Sequence, residues 1–359
     1  MGCGVESRKG PWIAAISCVL CLIGLEVVSR TSIVERVSSA TAGEVAALDT
    51  ALDHVTVPPT VIFLGASHTL SGVASRRIEE LLGWPRGSVL NAGIPNGRPR
   101  DFLGIYRRHR ALLGKARAAF IAVDVTYFNR NGINLAGKPT PAWRRRATLG
   151  DRLALPATPD TRIDLLAGWV SSVWDQRTTW REELIGLTLR LRGTPRGARG
   201  RNLFDELGRP DLARLRAPLT LEALEREVDA AIDRRMLNWA LDDEAFASLD
   251  ELLRLLREDG VEPVFMGVPL PLRYAPMQRE RYPEAIQSWS DEMQRRYGAV
   301  ETVRFSTDGY GAEDFRDSDH LSERGALRFA DVLAATLRKR GYEDNGSTRA
   351  RRRSLPSRS

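Results

Sequence analysis

Residues 60–73 read TVIFLGASHTLSGV: a short apolar, β-branched run ending in the small residues Gly65 and Ala66, then Ser67, His68 and Thr69. That is the pattern of a buried strand feeding a helix. The chain around it repeats the theme. SRRIEELLG (75–83) has apolar residues at helical spacing and a closing glycine, SVLNAG (88–93) is a second short strand, DFLGIYRRHRALLGK (101–115) a second amphipathic helix, and ARAAFIAVDVTYF (116–128) a third strand. Strands alternating with helices predict a parallel sheet covered by helices on both faces.

The alternation resumes near residue 245. EAFASLDELLRLLREDG predicts a helix with a glycine stop, VEPVFMGVPLP a buried strand ended by prolines, PEAIQSWSDEMQRRYG a helix, ETVRFS a short strand, and LSERGALRFADVLAATLRKRG the last helix. Ser322 stands where its N-cap would fall and Gly341 just past its end. Residues 130–244 break the pattern, with helical stretches (TRIDLLAGWVSSVWDQ, REELIGLTLRLRG) between Pro- and Gly-rich connections. An insertion of that length predicts a lid, a second lobe or a partner surface. The expected organisation is an N-terminal segment 1–30, a linker 31–57, an α/β domain in two parts (58–129 and 245–341) around the insertion, and a tail 342–359.

Composition narrows the function classes. The chain has 359 residues, 43% hydrophobic and 28% charged, which excludes a disordered or collagen-like protein. The formal charge of +7 is unevenly placed. Residues 339–359 carry seven basic and two acidic side chains, and residues 130–201 carry 14 basic and six acidic ones, so the rest of the body is acidic. A basic tail and a basic insertion give no reason to expect nucleic acid as a partner; the insertion's face suits solvent, an acidic polysaccharide or anionic lipid headgroups. No G-x-G-x-x-G or P-loop is present to bind a nucleotide. The cysteines are Cys3, Cys18 and Cys21, so the body has no thiol nucleophile and no zinc knuckle; neither metal nor organic cofactor is expected.

The cysteines fall in and before the run PWIAAISCVLCLIGL (11–25), which follows Arg8 and Lys9 and precedes Glu26. With Glu26 at the interface, the segment is long enough for one membrane span. Basic residues ahead of it favour a cytoplasmic N-terminus and a body outside the cytoplasmic membrane. An uncleaved anchor is preferred to a cleaved signal peptide, because Ala40-Thr41-Ala42 is separated from the run by Arg30, Glu35 and Arg36, and to a buried helix.

Ser67, at the carboxyl end of the first strand, would stand at the sheet edge where ligands bind, beside the free N–H groups of a helix start. Taken alone it reads equally as a helix cap. The opposite end of the chain supplies what a serine nucleophile needs. DFRDSDHLSERG puts Asp317 and His320 three residues apart, a base and the group that orients it. Of the four histidines, His54 precedes the sheet, His109 lies within a charged helical stretch, and His68 adjoins the serine, either as a polar site residue or as a helix-start side chain. Asp319 competes less well for the orienting role, since adjacency to His320 usually turns the side chain elsewhere.

FLGASHTLSGV, VLNAGIPNGRPRD and a terminal DxxHLSERGALRFA, in that order, resemble the SGNH/GDSL hydrolases, and more closely their membrane-anchored branch acting on cell-surface and exopolysaccharide glycans. The likeness covers residues 60–129 and 245–340 and leaves the insertion out. It implies a flavodoxin-like three-layer α/β/α sandwich, Ser67 as nucleophile, and His320 with Asp317 as its partners. It also implies an oxyanion N–H from the second block, at Asn96 or Gly97. Two departures stand out. Gly-Asp-Ser is here Gly-Ala-Ser, and the third block's Gly-x-Asn-Asp is absent, Asp124, Asn129 and Asn131 lying nearby. A carboxylate there would repel an oxyanion, and one lost donor costs about 2.7–4 kcal/mol. Asn91 or a residue of the insertion could replace it; otherwise the enzyme is slow, or catalysis is lost. The expected activity is that of a serine esterase or O-acyltransferase on acyl esters, above all O-acetyl esters, of an extracytoplasmic glycan. A membrane acyl-donor protein is a further expected partner. The alternative is an inactive glycan-binding or scaffold protein on the same fold.

Overall fold

A computed structural model of the chain describes residues 9–30, 48, 52–53, 55, 57–131, 147–154, 159–175 and 220–342. Most of the linker, much of the insertion, His54 and the basic tail lie outside the described residues.

Five parallel strands form one sheet in the order β2-β1-β3-β4-β5: β1 Val61–Gly65, β2 Val89–Gly93, β3 Ala118–Ala122, β4 Glu262–Met266 and β5 Thr302–Val303. Every residue of β1, β2 and β3 is buried, which explains why these strands are continuously apolar instead of alternating. Alternate side chains serve opposite faces. Ile62, Leu64, Leu90 and Ile121 share a core with Phe102 and Leu103 of α4 (Pro99–Arg108) and with Phe246, Leu249 and Leu252 of α10 (Asp243–Glu258). Val61, Phe63, Val89 and Phe120 share the other core with Ile78 of α3 (Ser75–Leu82) and with Phe329, Leu333 and Leu337 of α13 (Glu323–Lys339). Phe63 and Phe120, paired across β1 and β3, stack with centroids 5.2 Å apart. The result is a three-layer α/β/α sandwich around a parallel sheet, as expected.

The helix ends follow local chemistry. Gly83, after α3, takes φ 66°, the left-handed C-terminal stop. Ser322 accepts from the Gly325 N–H at 3.2 Å and starts α13, and Gly341 (φ 69°) follows its end. The helix expected over 101–115 is interrupted: α4 stops at Arg108, and buried His109 separates it from the short α5, Arg110–Leu113. Between β1 and α3 lies α2, Ser67–Gly72, and between β4 and β5 lie α11, Tyr274–Arg281, and α12, Pro283–Tyr297.

A helix that the sequence reading did not single out, at the end of the expected insertion, belongs to the core, while the expected helical stretch REELIGLTLRLRG lies outside the described residues. In α9, Leu221–Met236, the residues Leu224, Val228, Ile232 and Met236 recur at spacings of four and are buried against the same face as α3 and α13. Earlier in the insertion, α6 (Leu149–Ala154), α7 (Pro159–Val170) and α8 (Ser172–Asp175) are described. The N-terminal helix α1, Lys9–Arg30, meets α8 through Glu26, whose carboxylate accepts from the Ser172 N–H at 2.8 Å and the Ser171 hydroxyl at 3.0 Å. In α1 the side chains before Ile16 lie outside the described residues, and Ile16, Val19, Leu20, Leu22 and Ile23 are exposed. Among the described residues no helix is long and apolar enough to cross a membrane.

Candidate active site

The sheet order places the site. The chain leaves β1 for β2 on one side and returns to β3 on the other, so the carboxyl ends of β1 and β3 bound a crevice at the topological switch point. Ser67 follows β1 directly, after an extended Ala66. Gly65 makes the turn possible, since a Cβ there would collide with the Thr69 hydroxyl and the Ala122 methyl. The Gly65 carbonyl accepts from the Ile94 N–H at 2.9 Å, tying the second block to the first.

His320 reaches Ser67 from the loop before α13. Its Nε2 lies 2.7 Å from the Ser67 hydroxyl, and its Nδ1 lies 2.7 Å from Asp317 Oδ1. That carboxylate oxygen also accepts the His320 backbone N–H at 2.9 Å and the Asp319 N–H at 3.2 Å, so one aspartate shapes the loop and orients the ring. The loop is fastened at its base: Phe315 bridges Leu321, and the Ser322 hydroxyl donates to the Glu313 carbonyl at 2.7 Å. The structure therefore brings together the serine, base and orienting carboxylate expected from opposite ends of the chain.

Asp319 does not turn away from the imidazole as its adjacency suggested. It is 1% exposed, its Oδ1 is 3.3 Å from His320 Nδ1, and it also pairs with His68 Nε2 and with Arg235 of α9. Bonds from the Asp317 carboxylate to the Asp319 and His320 N–H groups bend the loop, and this sets the two aspartates on one imidazole. The consequence is electrostatic. Burial alone would lower the His320 pKa, but the Asp319 charge and the bonds to Asp317 and Asp319 outweigh it and hold it up to about 9. Burial would raise the Asp319 carboxyl, yet the charges of His320 and His68 carry it well below the usual range.

His68 is a buried member of this network, not a helix-start surface side chain. Its Nε2 faces Asp319 and its Nδ1 lies 3.1 Å from the Tyr127 hydroxyl, whose pKa burial raises. Arg235 also approaches the Tyr274 hydroxyl, at 3.3 Å. The donor atoms of His68, Asp319 and His320 lie within 4.8 Å of one another, a grouping with the element types of a metal site. Arg235 already occupies the carboxylate, and a cation on His320 would compete with the Ser67 hydrogen bond.

The expected oxyanion residues separate. Ser67, Asn96 and Gly97 line one small cleft of about 60 Å³, with Tyr127 and Thr126 opposite. The Gly97 N–H, however, donates to the Ile94 carbonyl at 2.9 Å and closes a turn, so it is spent. Asn96, left-handed at φ 55°, is the member of that pair with no hydrogen bond among the described residues. Asn91 is fully buried on β2; its amide donates to the carbonyls of Thr69, Leu70 and Val73 at 2.9–3.1 Å and its oxygen accepts from Gly93. It is a brace for α2, with no donor left for a substrate. Asp124 accepts from the Thr126 N–H at 2.9 Å and starts the 3₁₀ turn Val125–Phe128, and it does not line the Ser67 cleft. Asn129 donates to the Arg235 carbonyl at 2.8 Å and fixes the end of α9. Sequence reading missed Arg235, Tyr127 and Tyr274; the available signal for the first was the apolar spacing of α9, which predicts a core helix delivering its last turn to the sheet edge.

Similarity searches add little to this geometry. No family model and no curated protein matches the chain. Among solved structures, one described as "a putative platelet activating factor from Streptococcus pneumonia" aligns over 90% of this chain and 99% of its own, at 14% identity and a TM-score of 0.36.

Proposed function

We propose that this protein is an SGNH-type serine esterase or O-acyltransferase acting on O-acyl, above all O-acetyl, esters of an extracytoplasmic glycan. The single observation that carries the reading is the unbroken chain Ser67–His320–Asp317, with both links at 2.7 Å. Neutral His320 takes the Ser67 proton at Nε2 as the hydroxyl oxygen bonds to the ester carbonyl carbon. The carbon–oxygen bond to the sugar then breaks, and His320 returns the proton to the leaving oxygen, giving acyl-Ser67. Water or a second sugar hydroxyl, deprotonated by the same imidazole, releases the acyl group and regenerates Ser67. Water makes the protein an esterase, a hydroxyl a transferase. The Ser67 N–H and Asn96 are the groups placed to bind the oxyanion.

The membrane reading rests on the apolar run 11–25 and on the exposed apolar side chains of α1. A second reading, a non-catalytic glycan-binding protein, draws on one observation: Asn91 and the Gly97 N–H are both committed to the fold. One experiment separates the two. The protein is treated with a fluorophosphonate and assayed on p-nitrophenyl acetate beside Ser67→Ala and His320→Ala. Labelling and turnover that both variants abolish are expected; a folded wild type that neither labels nor turns over supports the binding protein.

A further inference from the structure

Among the described residues, the cleft holding Ser67 is lined by three arginines, Arg98, Arg234 and Arg235, and by no carboxylate. Two of the three are committed. Arg98 is buried, donates to the Asn129 carbonyl at 3.1 Å and faces Asp242 at 3.6 Å. Arg235 is held by Asp319 and Tyr274. Arg234, next along α9, is exposed and makes no hydrogen bond or ion pair among the described residues. Most other exposed arginines of the sandwich have a carboxylate partner, among them Arg76, Arg130, Arg254, Arg273 and Arg295.

The backbone beneath Arg234 is fixed. Arg235 is pinned to the catalytic loop through Asp319, and its carbonyl is held by Asn129. The helix turn that carries Arg234 is therefore anchored to the site, while its guanidinium is free to meet a ligand. An unpaired guanidinium over a cleft without carboxylates matches carboxylate or phosphate, which it can bind through two parallel N–H donors. Cations lining a concave wall also concentrate anions there.

We propose that the substrate of the Ser67 site carries an anionic group, a carboxylate or a phosphate, bound by Arg234. The inference deepens the acyl-ester reading and rests on it for the identity of the reacting group. A sugar carboxylate and a glycan or lipid phosphate share this chemistry.

The test uses the full chain and three esters of one skeleton: methyl 4-acetoxybenzoate, 4-acetoxybenzoate and 4-acetoxyphenyl phosphate. The expected result is a kcat/KM roughly tenfold higher for at least one anionic ester than for the neutral one, carried by KM. That ratio collapses in Arg234→Gln and inverts in Arg234→Glu, while Arg273→Gln, on the outer surface, keeps it. Which anionic ester gains more distinguishes a carboxylate from a phosphate. Ser67-dependent turnover without anionic preference overturns the inference and leaves the esterase reading standing, as does a preference that survives Arg234→Glu. Binding of 4-acetoxybenzoate and its methyl ester to Ser67→Ala is measured in parallel. If no ester is turned over, an Arg234-dependent preference in binding supports the anion site while the esterase reading fails, and equal binding overturns both.

Discussion

His320 is the residue on which most of the proposed chemistry depends, and its surroundings set its protonation. A general base must be neutral, and the paired carboxylates hold its pKa at about 9. Activity on p-nitrophenyl acetate is expected to rise with pH to an inflection near that value. In Asp319→Asn the negative charge at Nδ1 is halved and the Arg235 cation is left uncompensated, so the inflection moves to lower pH; an unmoved profile would show that Asp319 serves structure alone. Asp317→Asn removes the acceptor that fixes the ring and the catalytic tautomer, and kcat is expected to fall by about 10⁴, the scale seen when a triad carboxylate is replaced by its amide. The same shift bears on stability. Because the folded pKa is raised, the stabilising interaction is fully present below the free histidine's 6.5 and is lost as pH climbs through about 9, so thermal stability declines over that interval unless other groups offset it. Asn91 gives a contrasting residue. Asn91→Ala removes one donor from the Thr69, Leu70 and Val73 carbonyls, of which Thr69 and Val73 keep a backbone partner, and takes the acceptor from the Gly93 N–H; a loss of about 1–3 kcal/mol in denaturant unfolding is expected.

At the scale of elements, the site is the meeting of three segments far apart in the chain: the β1–α2 turn, the loop before α13, and the end of α9. Ser322→Ala tests how tightly the second is held. It removes the N-cap of α13 and the bond to Glu313, with an expected cost of about 1 kcal/mol in chemical denaturation and a fall in kcat as the His320 loop loosens. The strands and most helix boundaries were legible because each carries its own signal: β-branched runs, Gly83 and Gly341 at positive φ, Ser322 at its cap. His109 was not legible as a break in the helix over 101–115, since its effect comes from burial of the ring, which local sequence does not encode.

At the scale of the whole molecule, two cores flank the sheet, and the site sits at the edge that both must support. Phe329, fully buried between α13 and the sheet, is in the same helix that the His320 loop enters. Phe329→Ala is expected to cost about 3–5 kcal/mol by calorimetry or denaturant unfolding. The long-range charge of the chain is a different matter. The insertion and tail are basic and the remainder is acidic, so the sign of the net charge says less about a partner than the unpaired Arg234 that lines the cleft.

The strand–helix alternation, the placement of Ser67 after a buried strand and the Asp317–His320 spacing are written in the chain, because periodicity, turn residues and i,i+3 proximity are local properties. Which carboxylates face the imidazole, that Asn91 and Asp124 serve the backbone, that the Gly97 N–H is spent, and that α9 brings Arg234 and Arg235 to the cleft of the serine emerge from the folded chain alone. Those outcomes depend on which donors and acceptors burial brings within about 3 Å of one another, and residues 59 to 251 positions apart meet only when the sheet closes the distance.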